Sequence, residues 1–407
     1  MSTRREQWFA LVESNTTGSG REFCRAARAR GLRPVVLAAD PARYPYLAED
    51  GIDVLVLDTA DPDAVADRCH DLAAQGLAGV SSSSEYFVPV AARVAAKLGL
   101  PCPDADAIAR CRNKDRQREV LAGAGVGQPE FRIATSVAEA VRAAGELGLP
   151  AVVKPTAGSG SVGVRLCATS TEVASHAEQL LGTTVNERGL PAEARILVES
   201  FADGPEFSVE SLDGEAVAVV AKHLGPAPHF VETGHDFPAP VPEADRRVLA
   251  ATTRAALAAL GLGWGAAHTE LRLTAAGPAV IEVNPRLAGG MIPAMIRAAT
   301  GLDLVDAVVA AATGQDRPAP AGGPGSGCVR FVLPAGQGVL RGVHGLDAAR
   351  SRPGIAIAEP SAVPGAPVRP SGSFRDRVAY VVAANRTLLD AVAAAESAVA
   401  DLTVTLG

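Results

Sequence analysis

Two arms of alternating polar and apolar residues, set around a cluster of turn formers, constrain this chain most. The first arm is His268-Thr-Glu270-Leu-Arg-Leu273, the turn is Thr-Ala-Ala-Gly-Pro, and the second arm is Ala279-Val-Ile-Glu282-Val-Asn284-Pro-Arg286. Period-two alternation on both sides of breaker residues predicts a β-hairpin. With Thr274 and Pro278 closing the loop, Glu270 pairs with Glu282 and His268 with Asn284, and the pleat puts all four on one face. Directly opposed side chains in such a pair stand roughly 5 Å apart. Two carboxylates that close repel unless a proton or a cation lies between them, and two carboxylates with an amide oxygen form a hard-oxygen shell suited to Mg2+, with Mn2+ the alternative. A lone Glu/Glu pair is more often a solvated face. The apolar residues between the acids and the Asn284-Pro285-Arg286 tail favour the metal reading.

Composition removes several function classes. The chain has 407 residues, 48% hydrophobic and 20% charged, with a formal net charge of -7. It is long enough for two to four domains or lobes. No basic run supplies the phosphate-neutralising surface that nucleic acid needs, since Arg4, Arg5, Arg110 and Arg112 form only short doublets. No apolar stretch reaches membrane-spanning length, and strand-like residues Trp8 to Val12 arrive too early for a signal peptide. A cytoplasmic protein without nucleic-acid or membrane partners is expected. Cysteines 24, 69, 102, 111, 167 and 328 are scattered without the close pairs of zinc or redox motifs, so they read as reduced small apolar residues. Of 38 basic residues only four are lysine, at 97, 114, 154 and 222. In a chain that otherwise uses arginine, a remaining lysine marks a place where a compact ammonium is wanted. Lys97, in an Ala-rich helix, reads as solvated.

The pattern along the chain predicts mixed α/β and α+β architecture. Residues 1–103 alternate strands (8–12, 34–38, 54–57, 77–81) with helices (20–30, 61–75, 85–98), which is an open parallel α/β domain. Gly18-Ser-Gly20 lacks the full dinucleotide glycine spacing and reads as a tight strand-to-helix turn. Residues 104–313 form a second unit. A helical stretch to about 130 carries Asn113-Lys114. A lobe of about 131–198 follows, with helices 136–147 and 170–181 and strands 151–154, 163–167 and 195–199, then a helix over 243–260 and the hairpin. The Pro/Gly-rich 314–327 segment reads as a linker. A small C-terminal α+β domain over 328–407 has strands near 328–333, 354–358 and 378–383 and a helix from 386.

Between two apolar strands lies Ala157-Gly158-Ser159-Gly160-Ser161-Val162-Gly163, whose flexible backbone presents N–H groups as a flap over polyphosphate. Alone, such a loop is usually a plain hairpin turn, and no Gly-Lys-Ser/Thr follows to make it a P-loop. Lys154 ends the preceding strand and can place its ammonium beside the same phosphates; Lys114 is a second candidate. Next, the strand Ile196-Leu-Val-Glu199 emerges into Ser200-Phe201 and a short linker to Glu206. This offers backbone groups and Glu199 to an adenine and Glu206 to ribose hydroxyls.

The order of these parts, lysine, lysine with glycine flap, linker glutamates, then Glu270, Glu282, Asn284 and Arg286, resembles the ATP-grasp superfamily over about residues 104–300. The resemblance implies ATP between two α+β lobes. It assigns phosphate contacts to Lys114, Lys154 and the flap (Gly158, Ser159, Gly160, Ser161, Gly163), adenine to Glu199, Ser200 and Phe201, and ribose to Glu206. It gives magnesium to Glu270, Glu282 and Asn284, and stabilisation of an acyl phosphate to Arg286. Within the superfamily the chain is similar to the L-amino acid ligase and carnosine synthase type. That match rests on Ser84-Glu85-Tyr86, Leu98-Gly-Leu-Pro101, Val231-Glu-Thr-Gly-His235-Asp-Phe-Pro238, Arg286-Leu-Ala-Gly289-Gly290 and the appended C-terminal domain. It implies an ADP-forming carbon–nitrogen ligase with a small carboxylate and an amine as substrates, and Arg286 and Lys154 as catalytic groups. Carboxylases and purine-pathway ligases of the same fold, a phosphotransferase, or a regulator without turnover are the alternatives, and homo-oligomerisation stays open. For substrate, Arg286 with the backbone of Gly289 and Gly290 would hold the carboxylate. Lys222, Glu232 and His235 lie on a Gly/Pro-punctuated loop suited to binding. Glu85 is placed either to meet an amino group or to complement a helix dipole. His268, on the substrate side, would orient Glu270.

Overall fold

A computed structural model of the protein describes residues 7–407 except 16–18, 159, 187–188 and 370. Ser159 of the flap, Gly18 of the early glycine turn, and Arg4 and Arg5 therefore lie outside the described residues. The N-terminal part is the expected open parallel sheet, in the order Asp53–Val56, Leu32–Ala38, Gln7–Val12, Leu77–Ser81. Its central strands are buried on both faces under helices, which is why they read as continuous apolar runs instead of alternating ones. Strand order reverses between Gln7–Val12 and Leu77–Ser81, and open α/β sheets bind ligands outside the C-terminal strand ends at such a point. Here the second of those ends leads through Ser82-Ser83-Ser84 to Glu85.

The lobe that carries the flap is an antiparallel four-stranded sheet ordered Phe131–Ala134, Ile196–Ser200, Ala151–Pro155, Arg165–Cys167. Helices Val137–Leu147 and Ser170–Leu181 bury Ala140, Ala144, Val173 and Ala177 against it. The second helix opens with a capping box between Thr169 and Glu172, a device worth about 1 kcal/mol. The strand expected over 163–167 is shorter, Arg165–Cys167, because Gly163 and Val164 belong to the flap's return.

The largest sheet has eight strands in the order Gly277–Asn284, Ala266–Thr274, Glu206–Leu212, Glu215–Leu224, Glu232–Phe237, Ser326–Val332, Ala379–Asn385, Ile355–Pro360. The helix Glu243–Leu260 packs Leu249, Leu257 and Leu260 behind the acidic hairpin. Strands from beyond residue 326 thus continue the sheet that carries the hairpin. The Pro/Gly-rich stretch before them is tied down, with Ala321 N donating to Gly301 O and Gly325 N to Ala299 O. A second C-terminal sheet orders Pro367–Val368, Gly338–His344 and Thr403–Leu406. All six cysteines are free, and among the described residues no helix is long and apolar enough to cross a membrane.

Candidate active site

The acidic hairpin pairs Glu270 with Glu282 and His268 with Asn284, as expected, but by another route. The loop closes at Thr274 and Gly277, not Thr274 and Pro278, which would shift every pair by one. A bulge between Glu270 and Leu271 restores the offset. Gly277 closes the turn at φ +109, a backbone that L side chains rarely adopt.

Charge on this face is balanced in a way the hairpin alone did not show. Lys114 Nζ lies 2.9 Å from Glu282 Oε1, and Lys222 Nζ lies 2.8 Å from Glu270 Oε1. Each of the two carboxylates thus has a lysine ammonium beside it. The same Lys222 ammonium is 2.8 Å from Glu206 and 2.8 Å from Glu232. Burial alone would lower its pKa, but Glu206, Glu232 and Glu270 raise it well above the lysine norm. Glu270 is held below the usual carboxylate range, burial being outweighed by Lys222 and His268. His268 sits between Glu210 (2.9 Å) and Glu270 (3.1 Å), and against the cost of burial these carboxylates lift it to about 9, so it is an imidazolium that donates to both. His268 thus bridges the two carboxylates.

Asn284 completes the cluster. The end of its amide that faces the acids lies 3.1 Å from Glu282 Oε1 and 3.3 Å from each Glu85 oxygen, and is best assigned as nitrogen. A half-turn of the amide would present oxygen to the same point. Two carboxylates and a rotatable amide are a donor set that fits a hard divalent ion. Among the described residues no group of three or more His, Cys, Asp and Glu side chains is placed to hold a metal ion, so the donor set here is two carboxylates and an amide.

A cleft opens over this face. Its hairpin-side wall is Glu270, Glu282, Asn284 and Arg286; its lobe-side wall is Lys154, Glu199, Ser200 and Phe201; the flap covers it with Gly158, Gly160 and Ser161. Lys114 reaches across, donating to Gly158 O at 2.9 Å. Glu206 and Glu232 also line the cleft. Gly163 lies outside it, anchoring the flap through the 2.9 Å contact of its carbonyl with His176 Nε2. Lys222, His235, His268, Glu85, Gly289 and Gly290 stand behind or beside the lining.

Several expected ligand groups are already engaged by protein. Glu199 receives Arg118 Nε on one oxygen (2.6 Å) and Lys154 Nζ on the other (2.7 Å). Burial would raise Glu199, yet Arg118 and Lys154 hold it low, while burial pulls Lys154 below the lysine norm against the attraction of Glu199. Glu206 takes Arg272 Nε at 3.0 Å as well as Lys222. Glu85 is buried, with Oε2 accepting from Arg286 Nη2 (2.5 Å) and Nε (3.2 Å) and Oε1 from Arg112 (2.8 Å). Burial would push its carboxyl up, and Arg286 and Arg112 outweigh that. The chain thus uses Glu85 to aim Arg286.

His235, Glu232 and Gly290 do meet. A Cβ on Gly290, which sits at φ +57, would fall 2.6 Å from His235 Nε2. His235 is fully buried, neither ring nitrogen makes a hydrogen bond, and its nearest carboxylate is Glu232 at 3.6 Å. Burial pushes its pKa down to about 3, so it is neutral. Gly289 is exposed one residue earlier.

Arg118, Arg272, Phe230 and Arg377 were not singled out from sequence. Arg377 binds Glu232 at 2.7 Å and lies 3.8 Å over the Phe331 ring. Phe230 and Phe201 run nearly parallel with centroids 6.4 Å apart, and Arg272 lies 5.0 and 5.1 Å from the two rings. Arg118 follows Lys114 by one helical turn, a spacing that could have flagged it. For Arg377 no local signal exists.

Comparison with known proteins agrees with this fold. Residues 147–294 match the model of the ATP-grasp domain, and residues 330–407 match that of the L-amino acid ligase C-terminal domain 2. The chain belongs to the ATP-grasp family. Members of this ligase family use ATP with a divalent metal. An uncharacterized protein, y4rH, of Sinorhizobium fredii is 39% identical over 92% of this chain and 77% of its own length. Carnosine synthase 1 of Gallus gallus is 33% identical over 72% of this chain, which spans only 34% of that protein. The crystal structure of an L-amino acid ligase from Bacillus licheniformis superposes with a TM-score of 0.81 over 100% of both chains at 22% identity, a likeness of fold.

Proposed function

We propose that this ATP-grasp protein activates a small carboxylate, that of an amino acid, as an acyl phosphate and joins it to an amine, releasing ADP and phosphate. The observation that carries this reading is the convergence on one cleft of Lys114, Lys154 and the flap with Glu270, Glu282, Asn284 and Arg286. Lys114 and Lys154 bind the phosphates, the flap excludes water, and the backbone at Ser200 and Phe201 receives adenine. Glu206 stands on the ribose side. Glu270, Glu282 and Asn284 would hold Mg2+, which when bound supplies charge neutralisation for phosphoryl transfer.

In the first step a carboxylate oxygen forms a bond to the γ-phosphorus and the bond from phosphorus to the ADP oxygen breaks. Arg286, aimed by Glu85, neutralises charge where the acyl phosphate forms. In the second step the amine nitrogen attacks the acyl carbon, phosphate leaves, and the nitrogen loses a proton. Closure matters because an acyl phosphate is also open to water. Phe374, from the C-terminal part, packs where a Cβ on Gly160 would otherwise go, so that segment seats the flap. Lys222, Glu232, His235 and Gly290 meet one another beside the cleft and are assigned to substrate.

The reading is tested by a panel of amino acids and amines screened singly and in pairs for ADP and phosphate release. Release that requires both partners is expected. Stoichiometric transfer to one acceptor, with a stable phosphorylated product, would make the protein a phosphotransferase.

A further inference from the structure

Ile281 is skipped in the ladder of the acidic hairpin. Pairing runs Thr274 with Gly277, Leu273 with Pro278, Arg272 with Ala279 and Leu271 with Val280, then jumps to Glu270 with Glu282. Had the first register continued, Glu270 would face Ile281, and Glu282 would face Thr269 on the other side of the sheet, because a one-residue slip exchanges the faces of a strand. The bulge is what brings Glu282 and Asn284 to the face of Glu270.

A bulge leaves its extra residue without a ladder partner. One side chain holds this backbone. Arg118 donates from Nη1 to Val280 O at 2.7 Å and from Nη2 to Ile281 O at 2.7 Å. The third edge of the same guanidinium, Nε, donates to Glu199, whose other oxygen holds Lys154. Arg118 is 1% exposed, so water does not replace these bonds. Its helix, Lys114–Gly123, contacts the same strand again: Gln117 accepts from Val283 N at 2.7 Å and donates to Val283 O at 2.8 Å.

We propose that Arg118 is a positioning residue that pins the bulge of the metal-side strand and ties it to Lys154, setting the acidic face and the phosphate lysine in register before nucleotide arrives. The proposal rests on reading the cleft as a Mg-nucleotide site. A lysine cannot do the same work, because a single ammonium lacks the planar fork that meets two carbonyls and a carboxylate at once.

The test is calorimetric binding of ADP at a series of Mg2+ concentrations to wild type, Arg118→Lys and Arg118→Met, with thermal melts of each protein and Arg116→Lys as a control. Arg116 is half exposed and its side chain pairs with Glu119, away from the cleft lining, so its variant should bind like wild type. Arg118→Lys should stay folded and need about 10- to 100-fold more Mg2+ for half-saturation, the range produced by losing a partner that orients metal ligands. Adding Glu199→Gln to Arg118→Met should restore nucleotide affinity by freeing Lys154, but not the Mg2+ requirement. Should Arg118→Met fail to fold, Arg118→Lys decides. Wild-type Mg2+ dependence in folded Arg118→Lys, even with a lowered melting temperature, overturns the positioning role. Absence of MgADP binding by wild type would instead overturn the nucleotide reading beneath it.

Discussion

Replacing Glu85 by glutamine should disable catalysis while sparing nucleotide binding. The Glu85 carboxylate accepts two bonds from Arg286, one from Arg112 and longer ones from the Asn284 amide, and the side chains of Glu85, Arg286 and Arg112 are 7%, 18% and 15% exposed. Glutamine keeps one neutral oxygen acceptor and turns an NH2 group toward a guanidinium. Hydrogen bonds to charged groups contribute about 1.5–3 kcal/mol each, and removing one partner of a buried pair costs about 3–5 kcal/mol. With both arginines partly wet, a loss of about 2–3 kcal/mol of stability is expected. Arg286 would keep its bond to Leu287 O but lose its charged partner. Misplacing a reacting or stabilising group by about 1 Å costs about 100-fold in rate, so kcat should fall by about that factor, equivalent to about 2.7 kcal/mol in the barrier. Lys114 and Lys154 are untouched, so KM for ATP should stay within about threefold. Steady-state ADP release with ATP varied and both substrates saturating, alongside urea unfolding, measures all three quantities. A folded Glu85→Gln enzyme with kcat within twofold of wild type, or a loss confined to KM for ATP, would refute the aiming role.

Two other perturbations separate metal-side chemistry from architecture. Glu282→Ala should abolish turnover while the protein still melts cooperatively, since it deletes one oxygen donor and frees Lys114 from its 2.9 Å pair; near-normal activity in Mg2+ would contradict the metal assignment. His235 is neutral in the fold, with its pKa pushed down to about 3 by burial, whereas an unfolded histidine titrates near 6.5. Its contribution is therefore complete above pH 6.5 and is lost as pH falls toward 3, at up to about 1.4 kcal/mol per pH unit. Urea midpoints of His235→Gln between pH 7 and 4.5 should show a shallower decline than wild type, and identical slopes would contradict a buried neutral imidazole.

Local patterns carried much of this site. Alternation gave the hairpin and the pairing of Glu270 with Glu282, yet the loop closure was off by one because a bulge has no sequence signature when Ile281 looks like any other apolar strand residue. Scarcity of lysine was informative: Lys114, Lys154 and Lys222 are buried at the cleft, while the Lys97 side chain is 63% exposed. Long-range electrostatics was not legible. Glu85 and Arg286 are separated by 201 positions, and Arg377 and Glu232 by 145. Glu199 and Glu206 read as free acceptors because nothing near them in sequence announces Arg118 or Arg272. In the polar helix Lys114–Gly123, Lys114, Gln117 and Arg118 are buried against the strand they grip, and no apolar stripe announces that face. The short strands Phe131–Ala134 and Thr403–Leu406 had no distinct signal and form by pairing with neighbours.

The central claim is that a carboxylate becomes an acyl phosphate beside Arg286. It is tested most directly by supplying the active amino acid with both carboxylate oxygens as 18O and analysing the released phosphate by 31P NMR. Each phosphate should carry one 18O and form only when amine is present to complete turnover. Phosphate without label, released under the same dependence on both substrates, would contradict it.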